Sequence, residues 1–314
     1  MAPPSLEALE HQYCVAERGN RFQRRARLLQ SMWRHAQGYE MGVHKGRCGE
    51  RPLGSRLSEE SAGRLHNYLT DTIRSVVRRE VCDPERSKGK LYSVPRIFDD
   101  LLSSQPLCFN LFGELQQDLP LATAVLRDLT GNRVGRVEAI DFEYSPGRRD
   151  PNYTDDNSAF DVYVRFRTPQ GGSGFVGIEV KYHEDLAGKA ARPRCRYDEV
   201  ARLMGCFNEA RLPELRQAPL QQVWRDHLLA GIHRRRDKFD DGFFAFLYPS
   251  ANCACRKVVE SYRQCLSSDE TFVDWTLERF VASLARHTGG GWVTLLWERY
   301  LDFAKIDAAL ADSP

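Results

Sequence analysis

Three short segments in the middle of the chain alternate apolar and polar residues with a period of two. They are residues 134–144, 159–167 and 175–183. This period belongs to β-strands, in which successive side chains point to opposite faces. Thr168-Pro-Gln-Gly-Gly-Ser-Gly174 lies between the second and third segments and has the composition of a tight turn. A hairpin is therefore expected. Its turn centres near 170–172, which sets position 161 against a residue near 179–183, about 4.5–5.5 Å across the pair.

Parity then sorts the side chains. Phe160, Val162, Val164 and Phe166 share one face, and Asp161, Tyr163, Arg165 and Arg167 the other. On the third segment, Val176, Ile178, Val180 and Tyr182 lie opposite Gly177, Glu179, Lys181 and His183. On the first, Ile140, Phe142 and Tyr144 lie opposite Ala139, Asp141 and Glu143. Asp161 should stand beside Glu179 or Lys181 on a shared face. An ordinary amphipathic strand also carries Glu-x-Lys on its solvent side, so the pair matters only in company. That company is Ala159-Phe-Asp161, the Gly-rich turn and a third acid.

Neighbouring carboxylates repel unless a cation joins them. Carboxylate and water oxygens are hard ligands suited to Mg²⁺ or Mn²⁺. Such an ion binds a phosphate oxygen and lowers the pKa of a coordinated water. A lysine beside it can orient that water or stabilise negative charge as it develops. Asp161, Glu179 and Lys181 are thus the candidate catalytic residues for phosphodiester hydrolysis, and Glu143 is a further acid by face parity.

The order Asp161, then Ile178-Glu-Val-Lys181, resembles the signature of PD-(D/E)XK (restriction-endonuclease-like) nucleases. Phe142-Glu-Tyr-Ser-Pro-Gly147, Ala159-Phe-Asp-Val-Tyr163 and Gly174-Phe-Val-Gly-Ile-Glu-Val-Lys-Tyr-His-Glu184 more narrowly resemble a bacterial restriction-endonuclease family. Gln30-Ser-Met-Trp-Arg34, Phe109-Asn-Leu-Phe112 and Gln221-Gln-Val-Trp-Arg-Asp-His-Leu-Leu229 extend the resemblance over about residues 20–250. It implies an α/β fold with a mixed sheet flanked by helices. It also implies metal held by Asp161, Glu179 and Glu143, with Lys181 assisting the attacking water. Phe160 stands where the motif's proline would. Members often carry an upstream acid on a helix. Glu114 and Glu143 compete for that role, and parity favours Glu143. The helix starting at Gln221 or Gln222 is similar to the glutamine-bearing helix of RecB-like nucleases. Arg225 shares a face with Gln221 and suits either a phosphate or an acidic partner. Asn110 is a weaker candidate through its helix, whereas His183, His227 and His233 read as surface or packing residues.

The implied activity is that of an Mg²⁺-dependent DNA endonuclease in restriction or genome defence, acting on double-stranded DNA; a homodimer is allowed. RNA stays open as the substrate. A non-catalytic nucleic-acid-binding or assembly protein on the same fold is the alternative, and the intact Asp/Glu/Lys set speaks against it. An unrelated enzyme using a surface carboxylate pair would be favoured if the two strands were not neighbours.

The rest of the chain sets bounds. Its 314 residues, 42% hydrophobic and 28% charged, suit one large domain or two modest ones. A net charge of +2 neither supports nor excludes a nucleic-acid partner. Met-Ala-Pro-Pro-Ser-Leu-Glu has no secretory pattern and no apolar run spans a bilayer, so a cytoplasmic protein is expected. The nine cysteines are irregularly spaced. Only Cys253-Ala-Cys255 forms a close pair, and reduced, mostly buried thiols are the expectation.

Residues 1–130 read as a mainly helical region and 131–314 as the nuclease core with C-terminal helices. Helical spacing on a basic helix covers 19–34, its arginines facing either solvent or phosphate. Gly38–Leu57 reads as a loop. Ser58–Arg79 is helical, capped by Ser58 or Ser61, and Val94–Ala124 holds one or two helices. Tyr197–Ala210, Leu220–Arg235, Val258–Leu266 and 271–286 read as helices, Gly242–Tyr248 as a buried strand, and Gly291–Leu301 as ambiguous.

Overall fold

The computed structural model describes residues 5–16, 18–46 and 49–311. Cys48 and the first four residues lie outside them. The longer helices and the strands run α1 (Arg21–Ala36), β1 (Met41–Gly46), β2 (Gly49–Leu57), α2 (Ser104–Gln117), α3 (Leu119–Thr130), β3 (Arg136–Tyr144), β4 (Phe160–Arg167), β5 (Ser173–Val180), α4 (Cys195–Met204), α5 (Gln221–Arg236), β6 (Asp241–Tyr248), α6 (Cys253–Gln264), β7 (Phe272–Thr276), α7 (Leu277–His287), α8 (Trp292–Tyr300) and α9 (Ala304–Ala311).

The chain forms two compact units. One comprises Met1–Lys88, Tyr92–Gly113 and Gly289–Pro314; the other comprises Gly89–Leu91 and Glu114–Thr288. The single cut expected after residue 130 falls elsewhere. α3 belongs with the sheet, where its Thr123 Oγ1 accepts a hydrogen bond from Val137 N at 2.9 Å. The chain's last helices, α8 and α9, return to the first unit.

In the first unit, Asn20 caps α1 in a reciprocal capping box with Gln23. The arginines of α1 do not present the free basic face expected of them. Arg24 pairs with Glu10, and Arg25 with Asp307 at 2.7 Å. Arg34 donates to Gly54 O at 2.9 Å and to Tyr39 O at 2.5 Å. These bonds tie α1 to the rest of its unit. The segment read as a loop, Gly38–Leu57, is instead an antiparallel hairpin of β1 and β2, with an irregularity between Met41 and Val43. Its arginines and glycines hide the alternation that would announce strands. Ser58, not Ser61, caps the short helix Glu59–Gly63. A second short helix follows over Asp71–Val77, so Ser58–Arg79 is not one helix.

The second unit is built on a five-stranded mixed sheet of order β3-β4-β5-β6-β7. β3, β4 and β5 form an antiparallel meander, and β6 and β7 continue it in parallel. Gly171, at φ +88, makes the β4–β5 turn. Parallel strands need helical crossovers. α4 and α5 fill the one between β5 and β6, and α6 the one between β6 and β7. β6 is an almost continuous apolar run because both of its faces are covered. β7 and α7 share the stretch read as one helix over 271–286; five residues are too few to break a helical pattern. α4 stops at Met204 rather than Ala210, because Gly205 takes a left-handed C-cap at φ +65. α8 resolves the ambiguous stretch at 291–301 as a helix.

Two residues leave their expected face. Tyr144 stacks on Tyr163 with ring centroids 4.1 Å apart, because Glu143 before it takes a left-handed φ of +49 and interrupts the alternation. Phe160, at the start of β4, packs with Tyr163 and Phe175. Gly177 makes room for that ring: a Cβ there would stand 2.4 Å from it. Among the described residues no helix is long and apolar enough to cross a membrane. Among the described residues eight cysteines are free thiols, four of them buried; Cys253 is exposed while Cys255 is buried, so the close pair is split.

Candidate active site

Register aligns the three acids. Phe142 pairs with Val162, and Val162 with Ile178. One step along, Glu143, Asp161 and Glu179 occupy the same level of three adjacent strands. The face they share is not a solvent face. α5 packs across it, burying Tyr163, Phe175, Phe244 and Phe246. What stays open is a pocket of about 360 Å³ at the end of the sheet, lined by Glu143, Asp161, Glu179, Gln222 and Asp226 among others.

Each acid is held. Asp161 Oδ2 accepts from Val180 N at 2.8 Å. Glu179 Oε1 meets Lys181 Nζ at 2.6 Å and accepts from Gln222 Nε2 at 2.7 Å. Glu143 Oε1 accepts from Arg148 Nη2 at 2.9 Å. Lys181 lies just beyond the end of β5, where its N–H bonds Leu247 O at 2.8 Å and so prolongs the parallel ladder by one step. Glu179 and Lys181 are both nearly buried, at 5% and 8% exposure.

The electrostatics follow from this crowding. Burial, then repulsion by Glu179, lifts the Asp161 carboxyl well above its ordinary value, and Lys181 and the Val180 N–H act against that. Burial also raises Glu143, with Arg148 opposing. For Lys181, burial alone would lower the ammonium, but Glu179, Glu184 and Asp161 outweigh it and raise it. For Glu184, partly exposed, desolvation would raise the carboxyl, but Lys181 and then His183 outweigh it and lower it.

Gln222 reaches Glu179, whereas Gln221 does something else. Its carboxamide grips Ala191, donating to Ala191 O at 2.8 Å and accepting from Ala191 N at 2.6 Å. Arg225 takes the acidic partner of its two alternatives. Its Nε donates to Asp156 Oδ2 at 2.8 Å, which bonds in turn to Tyr197 Oη at 2.7 Å. Asn110 is committed within the first unit, to Leu69 N, Asn67 O and Tyr300 Oη. Glu114 is not among the pocket's lining residues. His227 and His233 are packing residues, bonded to Tyr262 and Thr271 and to Tyr163 and Asp237. His183 is half-buried, with Nδ1 3.9 Å from Glu184.

Two residues of the site escaped the sequence reading. Glu184 lies three residues beyond Lys181. Asp226 falls four after Gln222, and hence on the same helix face; that spacing was the available signal.

Among the described residues no three His, Cys, Asp or Glu side chains already stand together as a metal cage. The donor set nevertheless fits a hard divalent cation. Carboxylates from neighbouring positions face one pocket, and burial together with the Glu179 charge raises Asp161, Glu143 and Asp226. One of them, Asp226, has a buried Oδ2 with no hydrogen-bond partner.

A helix-flanked sheet of this order, with acids aligned across three strands and a buried lysine at a strand end, defines a restriction-endonuclease-like fold. The model of the PD-(D/E)XK nuclease superfamily matches residues 17–302, and the chain belongs to that superfamily. No curated protein and no solved structure shows a significant match to it.

Proposed function

We propose that the chain is a divalent-metal-dependent nuclease that hydrolyses phosphodiester bonds, and that it acts on double-stranded DNA as an endonuclease in restriction or genome defence. The observation that supports this best is the contact of Lys181 Nζ with Glu179 Oε1 on the strand next to Asp161.

Asp161, Glu179 and Glu143 are the residues that would hold Mg²⁺ or Mn²⁺, which when bound polarises the phosphate and acidifies a water. The chain's own groups then have distinct tasks. Lys181, placed against Glu179, would act as a hydrogen-bond donor, orienting the attacking water or countering negative charge as it develops. Gln222 fixes the Glu179 carboxylate from the helix side, and Arg148 fixes Glu143. Arg225 and Asp156 hold the loop that precedes β4 and leads into Asp161.

DNA, rather than RNA, and the defence role come from the resemblance to restriction endonucleases. A homodimer would let such an enzyme cut both strands.

The test is cleavage of plasmid and linear DNA with Mg²⁺ or Mn²⁺. Cutting should stop on adding EDTA, and Asp161→Ala should abolish it while the melting temperature holds. Absence of metal-dependent cleavage of DNA or RNA at every salt concentration tried would overturn the reading.

A further inference from the structure

Asp226 is a carboxylate at 5% exposure on α5 whose Oδ2 is buried without a hydrogen-bond partner. Its neighbours leave it that way for identifiable reasons. Arg225, next to it in sequence, turns to Asp156 and Ser158. Lys181 is engaged by Glu179. Gln222, one turn back on the same helix face, donates to Glu179 as well.

A buried acid kept for packing alone would be matched by a donor, as Asp156 is by Thr154, Ser158, Tyr197 and Arg225. Asp226 instead lines the pocket that also holds Glu179 and Asp161, and the anion it interacts with most strongly is Glu179. Glu179 Oε1 is taken by Lys181 and Gln222, whereas the Asp226 Oδ2 that lines the same pocket has no donor, and a small hard cation would complete it.

We propose that Asp226 is a divalent-cation ligand supplied by α5, sharing its ion with Glu179. The inference rests on the nuclease reading and adds to it a helix-borne ligand beyond the strand acids. Cation loading would then tie α5 to the sheet as well as charge the pocket.

Binding of MnCl2 alone to the metal-free full chain, without nucleic acid, tests this. Free Mn²⁺ is followed by electron paramagnetic resonance and the melting temperature with and without Mn²⁺. Asp226→Asn should weaken Mn²⁺ binding at least about tenfold, or remove one bound ion, and shrink the Mn²⁺-induced rise in melting temperature. The metal-free variant should melt at or above the wild-type temperature, because an unmatched buried acid is gone. Asp226→Ser should behave alike and guards against a folding defect peculiar to one variant. Wild-type Mn²⁺ affinity and stoichiometry in both variants would overturn the inference and leave the nuclease reading standing. A wild-type chain that binds no Mn²⁺ would overturn both.

Discussion

In the first unit, Arg299 is completely buried and its guanidinium is matched group by group. Nε donates to Gln30 Oε1 at 3.1 Å, Nη1 to Asn67 O at 2.6 Å and Nη2 to Asn67 Oδ1 at 2.5 Å. The ring of Trp33 stacks beneath it at 4.2 Å. In the second unit, Glu179, Lys181 and Asp226 are also buried, but the acids outnumber the one lysine that pairs with Glu179, and one oxygen of Asp226 has no partner. Both arrangements cost desolvation. Arg299 recovers it inside its own unit, which is what a structural charge does. The carboxylate pocket does not, and its deficit has the form of a missing cation. Burial of charge is thus uninformative by itself; whether the charge is matched separates scaffold from site.

This contrast can be broken by mutation. Asp161→Ala and Lys181→Ala should each lower cleavage by about a thousandfold or more; Asp161→Ala, which removes one of the crowded acids, should leave the melting temperature within a few degrees, and a large loss of stability from it would make the pocket scaffold after all. Arg299→Met should do the reverse. It strands Asn67 O and Gln30 Oε1, costs about 3–5 kcal/mol in denaturant unfolding, and leaves Mn²⁺ affinity intact. Gln222→Ala removes only a support of Glu179. About a tenfold loss of Mn²⁺ affinity or cleavage rate is expected from it, with near-normal stability.

The smallest expected effect is one of pH. Burial holds the His233 imidazole below its ordinary value, against the opposing pull of Asp237. A folded pKa beneath the unfolded one means that the unfolded chain binds the proton first. The contribution is therefore complete above about pH 6.5 and is lost as pH falls below it. The melting temperature should drop between pH 7.5 and 5, and His233→Gln should flatten that drop.

How much could be read beforehand divides along similar lines. β3, β4 and β5 were legible because alternation and a Gly-rich turn are local signals, and the β4–β5 register follows from that turn. That arithmetic sets Asp161 beside Glu179 or Lys181 and puts Glu143 on the same face by parity; the level of Glu143 depends on the β3–β4 register, which the connection over 145–159 leaves to tertiary pairing. β7 was not legible, since Phe272–Thr276 is fixed by its parallel neighbour and not by its own five residues. The β1–β2 hairpin was hidden for a related reason: its strands carry arginine and glycine where a buried strand would carry apolar residues. Asp226 was within reach at four residues from Gln222, but its missing partner is a property of the packed structure. The same holds for the arginines of α1, whose partners Asp307 and Gly54 O lie far away in sequence.

Glu143 sits at a left-handed φ of +49, which for a residue with a side chain stores on the order of 1–3 kcal/mol. Glycine or asparagine would release that strain, so Glu143→Gly or Glu143→Asn should make a hardier protein. A lineage selected only for durability would soon discard this glutamate. Its persistence across relatives would mark a position where usefulness outcompetes robustness, and a survey of thermally hardened variants should find it among the first residues replaced.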